Sequence, residues 1–129
     1  MEAAPLRVVI ADDSEAYRSG MARAIRAHDD LDLVGEVHGG VAALAAIIDL
    51  LPDVALLDVR MPGLDGLDVC ERVRCAEPAP TTRLMLLSAY MDDTVMERAR
   101  MVGADAYLSK AASRRDICAE TLRVGRGVE

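Results

Sequence analysis

The sequence predicts a doubly wound α/β fold, in which five parallel strands form one sheet and five helices cover its two faces. Three observations lead there. Five short runs rich in aliphatic residues recur along the chain, and each is followed by a segment with apolar residues at three- and four-residue steps. The first, third and fourth runs read as buried strands, as strands of a covered parallel sheet are. Four of the five end at or just before an Asp, Ser or Lys. A chain of 129 residues suits one compact core and is too short for two full domains.

The first run, Leu6 to Ala11, is β-branched and stops at Asp12, Asp13 and Ser14. Residues 14–27 then place Tyr17, Met21, Ala24 and Ile25 on one helical stripe, with Arg18, Arg23 and Arg26 mostly outside it. Leu31 to Val37 alternates apolar and acidic residues and stops at His38-Gly39-Gly40, which predicts a half-exposed edge strand. An alanine-rich helix from about Val41 to Leu51 ends at Pro52, and the apolar strand Val54 to Leu57 ends at Asp58. Arg60-Met61-Pro62-Gly63 has turn chemistry; Leu64, Leu67, Val69, Cys70 and Val73 begin the next helix, and Glu77-Pro78-Ala79-Pro80 closes it. Arg83 to Leu87 is a buried strand ending at Ser88, followed by a helix from about Asp92 to Met101 that Gly103 terminates. Ala106 to Leu108 makes the fifth strand, ending at Lys110, and Ser113 opens a last helix through Val124. Right-handed crossovers leave few ways to wind such a sheet, and ligands in these folds bind beyond the carboxyl ends of the strands.

Composition excludes several classes. Hydrophobic residues make up 52% and charged residues 29%, which is not the composition of a disordered chain. No apolar run reaches the roughly 18 to 20 residues that span a bilayer, and Met1 to Pro5 lacks the basic and apolar regions of a signal peptide. A cytoplasmic protein without membrane contact is expected. The net charge of −7 repels phosphodiester backbones, so direct nucleic-acid contact is not expected. Cys70, Cys75 and Cys118 form an odd set without C-x-x-C spacing and read as reduced packing residues rather than a disulfide or zinc framework. Among 15 cationic residues only Lys110 is a lysine, so its position invites a specific explanation.

The strand ends supply one. Asp12, Asp13, Asp58, Ser88 and Lys110 converge on one pocket if the first, third, fourth and fifth strands are neighbours. Carboxylates in such a pocket repel one another by about 4 kcal/mol per pair at ~4 Å and an effective dielectric of ~20, so they call for a cation. An all-oxygen set without nearby His or Cys favours a hard ion such as Mg²⁺, which takes one or two carboxylates, water and phosphate oxygens. A carboxylate is also a nucleophile toward a phosphoryl group, and Lys110 and the Ser88 hydroxyl have the chemistry to bind phosphoryl oxygens.

In these pieces the chain resembles the receiver domains of bacterial two-component response regulators. Val-Val-Ile-Ala-Asp-Asp-Ser, Val-Ala-Leu-Leu-Asp-Val-Arg-Met-Pro-Gly-Leu-Asp-Gly, Leu-Met-Leu-Leu-Ser-Ala and Gly-Ala-Asp-Ala-Tyr-Leu-Ser-Lys-Ala occur in the family's order and spacing. Ser88 in place of Thr and Leu-Ser-Lys-Ala-Ala-Ser are most similar to the NarL/FixJ (LuxR-type) subgroup. The resemblance implies a flavodoxin-like (βα)5 fold with strand order 2-1-3-4-5, and one receiver domain over residues 1–129, its core at about 6–125, with no output domain in this chain. It implies that a sensor histidine kinase phosphorylates Asp58 and that Asp12, Asp13, Asp58 and the backbone carbonyl of Arg60 hold Mg²⁺, with Mn²⁺ as the alternative ion. Ser88 and Lys110 would contact the phosphoryl group, Ser88 and Tyr107 would form the switch, and Arg60 and Tyr90 would modulate phosphoryl lifetime.

The implied role is a signalling switch rather than an enzyme acting on a separate substrate, with slow loss of its own phosphoryl group. Its output would be an output domain, a homodimer formed on phosphorylation, or a bound partner, and DNA would be reached only through an output domain. One departure stands out: most receivers carry a cis-linked Pro after the lysine, and here Ala111 follows. A non-proline cis bond costs about 2.5 to 4 kcal/mol, so a strained or rearranged loop is expected.

Each residue also has a plainer reading. Asp12 with Glu15 would serve as a helix capping box, Met61-Pro62-Gly63 as a simple turn, Tyr107 as packing, and Ser88 and Lys110 as surface residues. Capping does not account for Asp58, and separate plain readings do not explain the shared placement at strand ends. A haloacid-dehalogenase-type phosphatase would need a second Asp where Arg60 stands. A flavodoxin-like electron carrier would need a phosphate loop where Asp12 and Asp13 stand. Within the family, the alternative is a degenerate receiver acting as a phosphorylation-independent interaction module.

Overall fold

Strands β1 (Leu6–Ala11), β2 (Leu31–Val37), β3 (Val54–Asp58), β4 (Arg83–Ser88) and β5 (Ala106–Ser109) form one parallel sheet in the order β2-β1-β3-β4-β5. They alternate with helices α1 (Glu15–Arg26), α2 (Gly40–Leu50), α3 (Gly66–Cys75), α4 (Asp93–Met101) and α5 (Arg114–Gly125). This computed structural model describes residues 4–127. The reading of Met1 to Pro5 and the ends of the proposed 1–129 domain therefore fall partly outside the described residues.

The pleat sorts the apolar strands onto two cores. Val8 and Ile10 of β1, Val54 and Leu56 of β3, and Met85 and Leu87 of β4 pack with Met21 and Ile25 of α1 and Ile117 and Val124 of α5. Ala11, Ala55, Leu57, Leu84 and Leu86 face the other side, against Ala43 and Ile47 of α2 and Leu67, Val69, Cys70 and Val73 of α3. Every residue of β3 is buried, whereas β2, at the sheet edge, is only partly covered beyond Leu31. The alternation of β2 is thus the expected edge signature.

Several boundaries differ from the sequence reading. Asp12 does not cap α1: Ser14 is the N-cap, its hydroxyl accepting from the Tyr17 N–H at 3.3 Å. The capping box lies instead on α3, where Asp65 accepts from the Asp68 N–H at 2.8 Å and Asp68 accepts from the Asp65 N–H at 3.1 Å. That exchange starts α3 at Gly66 rather than Leu64. At the other end of α4, the expected glycine stop is present: Gly103 has φ of 86°, and the Ala104 and Gly103 amides donate to Ala99 and Arg100 carbonyls.

The strand registers bring the polar ends level. Ala11 is opposite Leu57, Asp58 opposite Leu87, and Ser88 opposite Ser109. One further residue on each of β1 and β5 reaches Asp12 and Lys110. No described helix is long and apolar enough to cross a membrane.

Candidate functional site

At this carboxyl edge, burial comes before chemistry. Asp12 is 1% exposed and Asp58 7%: Asp12 follows the covered end of β1, and Asp58 is the last residue of the buried β3. Their backbones are held by the sheet itself: the Asp12 N–H donates to Val37 and the Val59 N–H to Leu87. Asp12 also accepts from the Ser14 N–H at 2.8 Å, while its carbonyl accepts from Arg18 at 2.8 Å. Asp58 accepts from the Arg60 N–H at 3.3 Å.

Lys110 joins the two acids. Its Nζ lies 2.7 Å from Asp12 Oδ2, an ion pair rather than an aligned hydrogen bond, and 3.2 Å from Asp58 Oδ2. Its backbone is fixed by donation from its N–H to the Ser88 carbonyl at 2.8 Å. The only cis peptide among the described residues is Glu77-Pro78, so the Lys110-Ala111 bond is trans. The loop was expected to be strained or rearranged; it closes through local hydrogen bonds, with the Ala111 and Ala112 amides donating to the Ser109 hydroxyl and carbonyl.

Burial raises the Asp58 pKa above the ordinary carboxylate value, and the neighbouring Asp12 charge adds to it; Lys110 and the Arg60 N–H oppose both. The carboxyl is therefore poorly solvated, and its charged form is disfavoured in the folded chain.

The remaining predicted residues fall into two further groups. Ser88 is buried, and its hydroxyl donates to the Tyr90 carbonyl at 2.6 Å and accepts from the Tyr90 N–H at 3.2 Å. The Tyr107 hydroxyl donates to the same Tyr90 carbonyl at 3.4 Å, and its ring is partly covered by the core beneath α4. Tyr90 itself is 77% exposed. Asp13 is exposed and shares a groove of about 380 Å³ with Arg60, Met61, Pro62 and Asp65. Among the described residues, no three acidic, His or Cys side chains are already grouped as metal ligands.

The donor chemistry nevertheless fits a hard divalent cation. Asp12, Asp13 and Asp58 offer only oxygen and carry three negative charges against the one positive charge of Lys110. Mg²⁺ needs only one or two carboxylates, completing its shell with water, carbonyl or phosphate oxygens. A larger groove, of about 480 Å³, lies between α1 and α5 and contains none of these residues.

Sequence reasoning missed Tyr17 as a neighbour of the site. Its ring lies under Lys110 Nζ, 4.6 Å from centroid to nitrogen. The available signal was an aromatic side chain in the first turn of the helix that follows the acidic strand end. The stripe shared with Met21 and Ile25 made it read as core alone.

A buried strand-end carboxylate paired to a lysine on a 2-1-3-4-5 sheet places the chain in a class, and comparison with known proteins agrees. Residues 8–122 match the family described as the response regulator receiver domain, and the chain belongs to that family. It is 40% identical over 122 residues to the transcriptional regulatory protein NarL of Mycobacterium tuberculosis, covering 95% of this chain and 56% of that protein. It is 34% identical over 119 residues to the response regulator protein VraR of Staphylococcus saprophyticus, covering 92% and 56%. The chain thus spans about half the length of these curated relatives.

Among solved structures, the signal receiver domain of Mycobacterium tuberculosis NarL superposes with a TM-score of 0.92 at 38% identity, over 97% of this chain and 99% of that one. A LuxR-family DNA-binding response regulator from Staphylococcus aureus gives 0.86 at 25%, over 93% and 98%. Within the receiver family the chain is therefore of the NarL/FixJ, LuxR-type subgroup.

Proposed function

We propose that this receiver is a phosphorylation-activated switch in which Asp58 accepts a phosphoryl group from a sensor histidine kinase. The observation that carries the reading is the buried Asp58 carboxylate at the end of β3, raised in pKa and joined through Lys110 to Asp12. An Asp58 oxygen attacks phosphorus, forming an O–P bond as the P–N bond to the donor imidazole breaks. Asp12, Asp13, Asp58 and the Arg60 carbonyl would hold Mg²⁺, or Mn²⁺ in its place, which when bound neutralises charge on the transferring group. Lys110 moves from its carboxylate partners toward a phosphoryl oxygen.

Ser88 links chemistry to surface. Its hydroxyl is bound to the Tyr90 carbonyl, which the Tyr107 hydroxyl also uses. Turning Ser88 toward the phosphoryl group breaks the first bond and shifts the shared acceptor, so Tyr107 follows and the α4 and β5 surface repacks. The domain then acts on an output domain, a second copy or another partner. The chain's net charge of −7 disfavours direct contact with DNA, which would be reached only through an output domain. A cytoplasmic location fits a kinase donor of this kind.

Intact-mass spectrometry after incubation with Mg²⁺ and acetyl phosphate tests the reading. One phosphoryl mass is gained, the gain is lost with chelator, and it is absent in Asp58→Asn. No gain in a folded, Mg²⁺-binding protein would instead favour a constitutive interaction module. In the same assay Arg60 and Tyr90, both exposed at the rim, act as bulky screens against water. Arg60→Ala combined with Tyr90→Ala shortens the phosphoryl half-life about fivefold, equivalent to ~1 kcal/mol in the hydrolysis barrier. A longer half-life than wild type would contradict the screening role.

A further inference from the structure

The geometry points to Tyr17 as the residue that positions Lys110, its ring face seating the lysine ammonium between Asp12 and Asp58. The inference deepens the phosphoacceptor reading and rests on it. Lysine is a point charge on a flexible, strongly hydrated stem, so a single well-defined ammonium position requires partners on several sides. Two sides are met by carboxylates, at 2.7 Å from Asp12 and 3.2 Å from Asp58. A third is met by the Tyr17 ring, whose centroid is 4.6 Å from Nζ, within the range of a cation–π contact. The Lys110 side chain is accordingly only 15% exposed.

The ring is itself held. The Tyr17 N–H donates to the Ser14 cap, which fixes the first turn of α1 immediately after Asp12 and Asp13. The ring rests on the core shared by α1 and α5, with Leu108 and Ala112 from either side of Lys110 packed on the same cluster. One turn further along α1, the Arg114 guanidinium lies so close over Gly20 that an added Cβ would fall 2.3 Å from its Nη2. The Tyr17 hydroxyl is buried and has no hydrogen-bond partner, so the side chain's contribution at this site is its ring face rather than its polar tip.

When Asp58 carries a phosphoryl group, Lys110 exchanges a carboxylate partner for a phosphoryl oxygen a short distance away. A ring wall along that path keeps the ammonium dry and near, which lowers the cost of each exchange. An aliphatic side chain would fill the volume and leave one side of the charge without a partner.

Lys110 is the only lysine in the chain, so lysine labelled with ¹³C at Cε reports on this contact as a single side-chain resonance. In wild type the Lys110 Hε protons are displaced upfield by the ring; Tyr17→Phe keeps the displacement and Tyr17→Leu abolishes it. The rate of phosphoryl gain from acetyl phosphate with Mg²⁺ falls about fivefold in Tyr17→Leu and is retained in Tyr17→Phe. Thermal melts of both variants, with Tyr17→Phe as the folded control, separate a lost contact from a lost fold. Absence of the upfield displacement in wild type, a Phe variant as slow as Leu, or a Leu variant as fast as wild type would each overturn the assignment. If the displacement is present but no protein gains phosphate, the phosphoacceptor reading fails, and the positioning role defined for that reaction falls with it.

Discussion

Lys110→Met lowers the stability of the folded chain by about 3 kcal/mol at pH 7, a fall of about 10 °C or more in Tm for a domain of this size. Asp12 and Asp58 are both buried and share the Lys110 ammonium, so the substitution leaves two close carboxylates without their cation. The same variant gains phosphate far more slowly, since no point charge meets the phosphoryl oxygens. The sign of the pH dependence follows from Asp58. Its pKa is raised on folding by burial and by Asp12, so the folded chain binds this proton more tightly than the unfolded one. Such a group contributes stability that is complete below the unfolded pKa and is lost as pH rises through the folded value. With Lys110 removed, the opposing influence is gone and the Asp58 pKa moves further up. The deficit of Lys110→Met is therefore largest near neutrality and narrows as Asp58 protonates in acid.

Asp58→Asn gives the opposite result, although it removes the proposed phosphoacceptor. It relieves the repulsion with Asp12 while leaving Lys110 its partner at 2.7 Å, and raises stability at pH 7 by about 1 kcal/mol. The gain disappears in acid. Asp58→Asn added to Lys110→Met recovers much of the lost stability. Urea unfolding of the four proteins at pH 7 and pH 4.5 checks all of this, and a Lys110→Met protein as stable as wild type would remove the electrostatic account.

Gly66→Ala is the second large effect. A glycine-to-alanine change near a helix start ordinarily stabilises by up to about 1 kcal/mol. Here a Cβ would fall 2.4 Å from the Asp58 carbonyl oxygen and 2.9 Å from Leu86 Cδ2. The first atom belongs to the backbone and cannot rotate aside, and the Gly66 N–H is meanwhile tied to the Val59 carbonyl at 2.9 Å. The expected cost is about 3 kcal/mol, at the upper end of overpacking, and the strain falls directly on the peptide of Asp58, the proposed phosphoacceptor. Phosphoryl gain slows together with stability. Gly63→Ala is the control: its site is open, with nothing within 4 Å, and its φ of 76° costs about 1 to 2 kcal/mol through conformation alone. Chemical denaturation separates the two, and a Gly66→Ala protein no weaker than Gly63→Ala would show that the loop gives way.

The fold was legible because burial leaves a local signature. Strands covered on both faces need uninterrupted apolar residues, and Val54 to Leu57 and Leu84 to Leu87 have nothing else. The second strand carries Asp32 and Glu36 because it stands at the edge. Where such runs stop, the next side chain reaches the rim of the sheet, so Asp12, Asp58, Ser88 and Lys110 were legible as strand ends, and as one group once the family resemblance supplied the strand order.

Chain order and strand length thus marked which residues stand at strand ends, because a covered strand must stay apolar until it reaches the rim. Tertiary structure decided how they meet. It turned Asp13 toward the Arg60 groove, tied Ser88 to Tyr90, left Lys110-Ala111 trans, and slid the ring of Tyr17 beneath Lys110. Those choices depend on rotamers, caps and contacts between segments far apart in the chain. The capping box that starts α3 at Gly66 and the close approach of that glycine to Asp58 belong to the same class. Periodicity reports which side of an element is buried; it carries no information about which neighbour will lie against it.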